Sequence, residues 1–229
     1  MTTFVLIHGS YQGGWIWRRV ADRLRAQGHV APAPTLDGCG ERAGSLRPGI
    51  TVESQAAELS KLLFYEDLDD VVLVGTSSGG MVLARLAEVA RERIGRLVFA
   101  DALALRHGES ITDIVTRPAA VNTELVLGPT REDAEGRMFA ALEPALRTWA
   151  ADRCTLHPIA VHTQPVQLDS FWSQDWDATV IYCRRAPNPG ETHQRRCAET
   201  LGARWHELDT GHYPMLSASE ALTGLILTG

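Results

Sequence analysis

Residues 71–80 read Val71-Val72-Leu73-Val74-Gly75-Thr76-Ser77-Ser78-Gly79-Gly80, and this stretch decides the fold. Four aliphatic residues in a row, bounded by Asp69-Asp70 and Gly75, are the pattern of a strand buried on both faces. The Ala- and Leu-rich residues 81–93 that follow have helical character. Between the two lies Gly75-x-Ser77-x-Gly79. A serine at a sharp strand-to-helix turn lifts its hydroxyl clear of the sheet, and glycines relieve the crowding there. The N-terminus of the next helix offers free N–H groups to a developing negative charge. A glycine-rich turn with two incidental serines is the plain alternative, but both flanking elements are in place. Ser77 rather than Ser78 is the candidate nucleophile, because it alone has glycines at −2 and +2.

Working outward, short apolar runs at 4–7, 97–100, 179–183 and 204–208, with a weaker one at 29–31, predict about six strands in all. Helical periodicity at 15–27, 51–65 (Thr51 as N-cap), 191–201 and 217–227 alternates with them. Such alternation predicts an α/β fold with a mostly parallel central sheet flanked by helices. In these sheets the chemistry gathers beyond the C-terminal strand ends. Residues 108–176 break the alternation: helical patches, prolines at 118, 129, 144, 158 and 165, no strong strand. They predict a small, mainly helical cap inserted into a core domain formed by 1–107 and 177–229.

Composition bounds the rest. The chain has 229 residues, 45% hydrophobic and 22% charged, which suits one domain with a well-buried core. A net charge of −6 argues against nucleic acid or anionic membrane as a main partner. No apolar run approaches the ~20 residues that span a bilayer. The opening Met1-Thr2-Thr3-Phe4 carries no export signal, so a cytoplasmic protein is expected. Cys39, Cys154, Cys183 and Cys197 form no CxxC pair and are expected to be reduced. No HExxH or close Cys/His grouping points to a metal, and no cofactor is expected.

The general base belongs late in the chain, and Asp209-Thr210-Gly211-His212-Tyr213-Pro214-Met215 supplies His212 just after the last strand. The opening Val5-Leu6-Ile7-His8-Gly9-Ser10, continuing through Gly14-Trp15-Ile16-Trp17, closely resembles the HG-x-x-x-G-x-W-x-W opening of the plant methylesterase and hydroxynitrile lyase branch of α/β hydrolases. Residues 96–102 and 211–215 are similar to that branch too. The resemblance covers most of 1–105 and 178–229, and is weak in the cap. It implies the α/β-hydrolase fold and an oxyanion hole from the backbone N–H groups of Ser10 and Ser78. His8 is expected to support the loop rather than act as a second base.

Two departures matter. The branch has an aspartate after the strand that is Val180-Ile181-Tyr182-Cys183 here, but this chain continues Arg184-Arg185-Ala186-Pro187-Asn188-Pro189. Asp101, at the end of the strand after the nucleophile helix, is the favoured substitute acid, with Asn188 and Glu191 as alternatives or a Ser–His dyad without an acid. Where hydroxynitrile lyases have threonine and lysine, this chain has Gly9 and Tyr213, which argues against cyanohydrin cleavage. The expected activity is therefore a serine hydrolase acting on a small apolar or aromatic carboxylic ester or lactone. A lyase, cyclase or cofactor-free oxygenase on the same scaffold is the alternative, and a ligand-binding pseudo-enzyme a more remote one. Gly9, Trp149, Trp172 and Trp176 are the expected substrate contacts, and Arg184 and Arg185 stand where a substrate carboxylate could be met. The partner is a small molecule, with a homodimer left open.

Overall fold

The computed structural model describes all residues except 116–119, so Pro118 lies outside the described residues. In chain order the elements are β1 (Phe4–Ile7), α1 (Arg18–Ala26), α2 (Val52–Tyr65), β2 (Val71–Ser77), α3 (Gly79–Val89), β3 (Ile94–Ala102), α4 (Ile111–Ile114), β4 (Val121–Asn122), β5 (Val126–Gly128), α5 (Arg131–Asp133), α6 (Pro144–Ala151), β6 (His157–Pro158), α7 (Ile159–Thr163), β7 (Ala178–Cys183), α8 (Glu191–Leu201), β8 (Arg204–Leu208), α9 (Pro214–Ser217) and α10 (Ser219–Thr228).

The main sheet has five parallel strands in the order β1-β2-β3-β7-β8. The sixth expected strand, at 29–31, is reduced to a single bridge between Thr3 and Val30. Val30 and Pro32 still accept hydrogen bonds from Phe4 and Leu6, but Pro32 and Pro34 have no N–H to extend a ladder. Alternate strand residues face opposite layers. Val5, Ile7, Leu73, Leu97 and Phe99 pack with α2, α3 and α8, while Phe4, Leu6, Val72, Val74 and Val98 pack with α1 and α10. That division is why 4–7, 71–74 and 97–100 are apolar without interruption. Thr51 caps α2 through a capping box with Ser54, as expected.

Between β3 and β7 the insertion, expected to be mainly helical, is mixed. It contains an antiparallel sheet, β4-β5-β6, beside its short helices. These strands are two or three residues long, too short for any periodicity to register in the sequence. The end of this segment, including Val161, Val166, Leu168, Phe171 and Trp176, joins the core under the main sheet. No described helix is long and apolar enough to cross a membrane.

Candidate active site

Ser77 closes β2 with φ of +51°, and α3 begins two residues later. That left-handed conformation costs a non-glycine residue about 1 kcal/mol or more and persists only where packing enforces it. The packing is visible around the glycines. A Cβ on Gly79 would lie 2.5 Å from the His8 carbonyl oxygen, and one on Gly80 would lie 2.3 Å from that of Leu103. The start of α3 therefore seats directly on the ends of β1 and β3. Gly9 is needed beside Ser77: its Cβ would stand 2.6 Å from Ser77 Cβ.

Asp101 is placed by an irregularity in the neighbouring strand. Thr76 pairs with Ala100 and Ser77 with Ala102, so Asp101 is the extra residue of a bulge, with φ of +48°. Bulges re-aim side chains, and this one is wholly buried with its carboxylate fully engaged. Oδ1 accepts from the Cys183 N–H at 3.2 Å and from Gln194 Nε2 at 2.7 Å. Oδ2 lies 2.5 Å from Nδ1 of His212, which follows β8 and opens toward α9. With Nδ1–H donated to Asp101, Nε2 of His212 is free to accept a proton. The structure thus brings Asp101 to His212. Glu191 is exposed at the start of α8 and pairs with Arg195 at 2.7 Å, and Asn188 lines the cavity described next.

Ser77 and His212 share a cavity of about 280 Å³. Leu103, Ile111, Val115, Leu127 and Met138 give it apolar walls, with Tyr11, Arg137, His162 and Asn188 as its larger polar groups. A second cavity of similar size also borders His212 and shares Arg137, Met138 and Asn188 with the first. Ser10 and Ser78 stand side by side, their hydroxyls 2.8 Å apart, and Ser10 Oγ is 2.8 Å from His162 Nε2. His8 is a support, as expected. Its Nε2 accepts from the Leu36 N–H at 2.9 Å, so Nδ1–H donates to the Gly9 carbonyl at 2.8 Å. Burial pushes its pKa down to about 4 and keeps it neutral.

The three tryptophans do not line this cavity, which corrects the expected substrate contacts. Trp176 stacks on Phe171 and donates to its carbonyl, with the Arg91 guanidinium 4.2 Å from its ring centroid. It lies two residues before β7, at the sheet edge opposite the strand ends that carry Ser77 and Asp101. Trp172 donates to the Leu105 carbonyl and packs on the core. Trp149 packs edge-on against Trp15. Arg184 and Arg185 are exposed and ion-paired with Asp209. The sequence reading missed Gln194 and His162. Among the described residues, no cluster of His, Cys, Asp or Glu is arranged to hold a metal ion.

The five-stranded parallel sheet with these residues at its strand ends has the alpha/beta hydrolase fold, and the chain belongs to the alpha/beta hydrolase family, whose model matches residues 4–224. Its named relatives make it an ester-cleaving member of that family. A carbendazim-hydrolysing esterase from Nocardioides is 32% identical over 73% of this chain and 74% of its own length. Methylesterase 1 from Arabidopsis thaliana is 41% identical over 43% of this chain, and the match spans 38% of that protein. Among solved structures, an extracellular α/β-hydrolase from a Paenibacillus species superposes with a TM-score of 0.83 at 22% identity, covering 99% of this chain and 98% of that one. Polyneuridine aldehyde esterase superposes with a TM-score of 0.79 at 21% identity, over 99% and 98% of the two chains.

Proposed function

We propose that this protein is a serine esterase that cleaves small esters with an apolar or aromatic acyl part, or lactones, through an acyl-enzyme on Ser77. The observation that carries the reading is His212, tied to the buried carboxylate of Asp101 and facing the same apolar-walled cavity as Ser77. In acylation, His212 Nε2 takes the Ser77 proton as Oγ attacks the ester carbonyl. The oxyanion is received by the backbone N–H groups of Ser10 and Ser78. Collapse expels the alcohol, which takes the proton back from His212, and water repeats the sequence to release the acid. Asp101 holds the tautomer and stabilises the imidazolium without being protonated. No cofactor is required.

Residues 108–176 act as a lid over the core formed by 1–107 and 177–229, because Ile111, Val115, Leu127 and Met138 supply most of the apolar wall. The methylesterases among the relatives support a methyl or other short-alkyl leaving group. The four free thiols support a cytoplasmic setting. The test is turnover of p-nitrophenyl acetate and butyrate by the wild type beside Ser77→Ala and His212→Ala. Turnover by the wild type alone is expected. A wild type inert on both esters, or an active Ser77→Ala, would overturn the reading.

A further inference from the structure

The two N–H donors assigned to the oxyanion come from chain segments far apart in sequence: the loop after β1 and the start of α3. Their spacing matters, because misplacing reacting groups by ~1 Å can cost ~100-fold in rate. The hydroxyls of these same two residues meet at 2.8 Å across 68 positions, and both serines are buried. Ser10 Oγ also meets Nε2 of His162, on α7, at 2.8 Å. The segment carrying His162 grips the loop at two further points. Thr155 N–H donates to the Tyr11 carbonyl at 3.1 Å, and the Tyr11 N–H reaches His157 Nδ1 at 3.4 Å. Burial pushes the His162 pKa down to about 4, so the ring stays neutral and keeps an acceptor nitrogen. In the tautomer with the proton on Nδ1, a directional chain is satisfied throughout: Ser78 O–H donates to Ser10 Oγ, and Ser10 O–H donates to His162 Nε2.

We propose that the Ser10–Ser78 hydroxyl pair is a staple that sets the spacing of the two oxyanion donors, and that His162 fixes this staple from the lid. On this view His162 is a positioning residue for acyl transfer, touching neither Ser77 nor the scissile bond. The proposal rests on the serine-esterase reading. Its contribution lies in the transition state, since the ground-state carbonyl depends little on the exact donor spacing.

The experiment is a double-mutant cycle on p-nitrophenyl butyrate hydrolysis with Ser10→Ala, Ser78→Ala and the pair, beside His162→Ala and His162→Gln. Alanine retains both backbone N–H groups; Ser78→Ala removes only the staple, and Ser10→Ala removes the staple together with its bond to His162. Each serine variant is expected to lose about tenfold in kcat with KM within about twofold, less than the ~100- to 1,000-fold of losing a whole donor. The double variant is expected to lose no more than either single one, because both remove the same bridge. Binding of an alkylboronic acid, which forms a tetrahedral adduct on the serine, should weaken by a similar factor. His162→Ala should lower kcat in the same way, and His162→Gln, whose amide can replace Nε2 as acceptor, should recover most of it. Unchanged kcat in the serine variants, multiplicative losses in the pair, or a change confined to KM would each overturn the staple. If His162→Ala does not fold, the serine cycle decides alone. Ser77→Ala separates the two readings: a dead Ser77→Ala with silent staple variants sinks only this proposal, whereas an active Ser77→Ala sinks the esterase reading itself.

Discussion

Asp101→Asn is the substitution whose outcome the structure specifies most closely. The two carboxylate oxygens have different tasks: Oδ1 accepts from Cys183 N–H and Gln194 Nε2, while Oδ2 faces His212 Nδ1. An asparagine is nearly isosteric, but only one of its two terminal atoms accepts. Both Cys183 and Gln194 are buried donors, and an unsatisfied buried donor costs ~1–3 kcal/mol. The amide oxygen is therefore held on the Oδ1 side, and the NH2 group is turned toward His212. Two donors cannot face each other, so the imidazole moves its proton to Nε2 and loses the acceptor that Ser77 requires. The same tautomer fault in a Ser-His-Asp enzyme costs ~10⁴ in kcat, and four decades correspond to ~5.5 kcal/mol of transition-state stabilisation. Because the fold-side hydrogen bonds survive, the melting temperature should stay within a few degrees of wild type. Steady-state hydrolysis of p-nitrophenyl butyrate and a thermal melt on the same sample read both quantities. Glu191→Gln serves as the control and should leave kcat unchanged, its partner being the exposed Arg195. A folded Asp101→Asn that keeps more than about a tenth of wild-type kcat would refute Asp101 as the orienting acid.

Other consequences are equally concrete. Gly9→Ala places a Cβ 2.6 Å from Ser77 Cβ, so the loop or the nucleophile must shift, and kcat should fall by at least about tenfold with a smaller loss of melting temperature; a wild-type rate would show that the loop yields freely. Burial lowers the native pKa of His8 to about 4 from an ordinary 6.5, and His162 and His193 are pushed down to about 4 likewise. Below pH 6.5 the unfolded chain binds these protons first, so stability is full above that pH and is lost as pH falls toward 4. His8 alone accounts for about 2 kcal/mol between pH 6.5 and 5, and urea midpoints that do not fall between pH 7 and 5 would contradict this. Trp149→Phe and Trp172→Phe should leave KM for aryl esters within about twofold, since neither ring reaches the cavity; a large rise in KM would return them to the substrate.

What the sequence revealed and what it hid follow from the range of the interactions involved. The strands were legible because β1 and the central runs of β2, β3 and β7 (71–74, 97–100 and 180–183) lie between two helical layers and carry apolar residues on both faces. Ser77 and His212 could be named as candidates because the roles proposed for them demand a local backbone setting, a strand-to-helix turn and a post-strand loop. Asp101 could be named only by its place at a strand end. What aims it is a one-residue bulge against β2, and nothing in residues 94–102 announces that register shift. Gln194 and His162 carry no local signal at all, because their partners lie 93 and 152 positions away. The tryptophans were misplaced for a different reason. An aromatic residue in an insertion announces burial but not which end of the sheet it covers. Trp176 was the exception: standing just before β7, it had to fall at the N-terminal edge of a parallel sheet, away from the chemistry.

The relocated acid and the residues around it form one arrangement. In the branch this chain resembles, the strand corresponding to β7 is followed by the acid. Here the end of β7 keeps a role in the same carboxylate site from the opposite side of the bond. Cys183 contributes its N–H, and α8, the next element, contributes Gln194, whose Nε2 also reaches the Pro189 carbonyl at 3.0 Å. The end of β7 thus receives the carboxylate through a backbone N–H. Meanwhile Ser77 and Asp101 have come to sit on adjacent strands, each at a left-handed residue beside the same register shift. Two such strained residues at one strand boundary require a rigid surround, and the contact of Gly80 with the Leu103 carbonyl and the hydrogen bond from Leu103 N–H to the Ser77 carbonyl provide it. The proposed nucleophile and acid, Ser77 and Asp101, are thus set by one short stretch of β2–β3 pairing. His212 alone comes from a separate loop, and Asp101 is the group that ties it in.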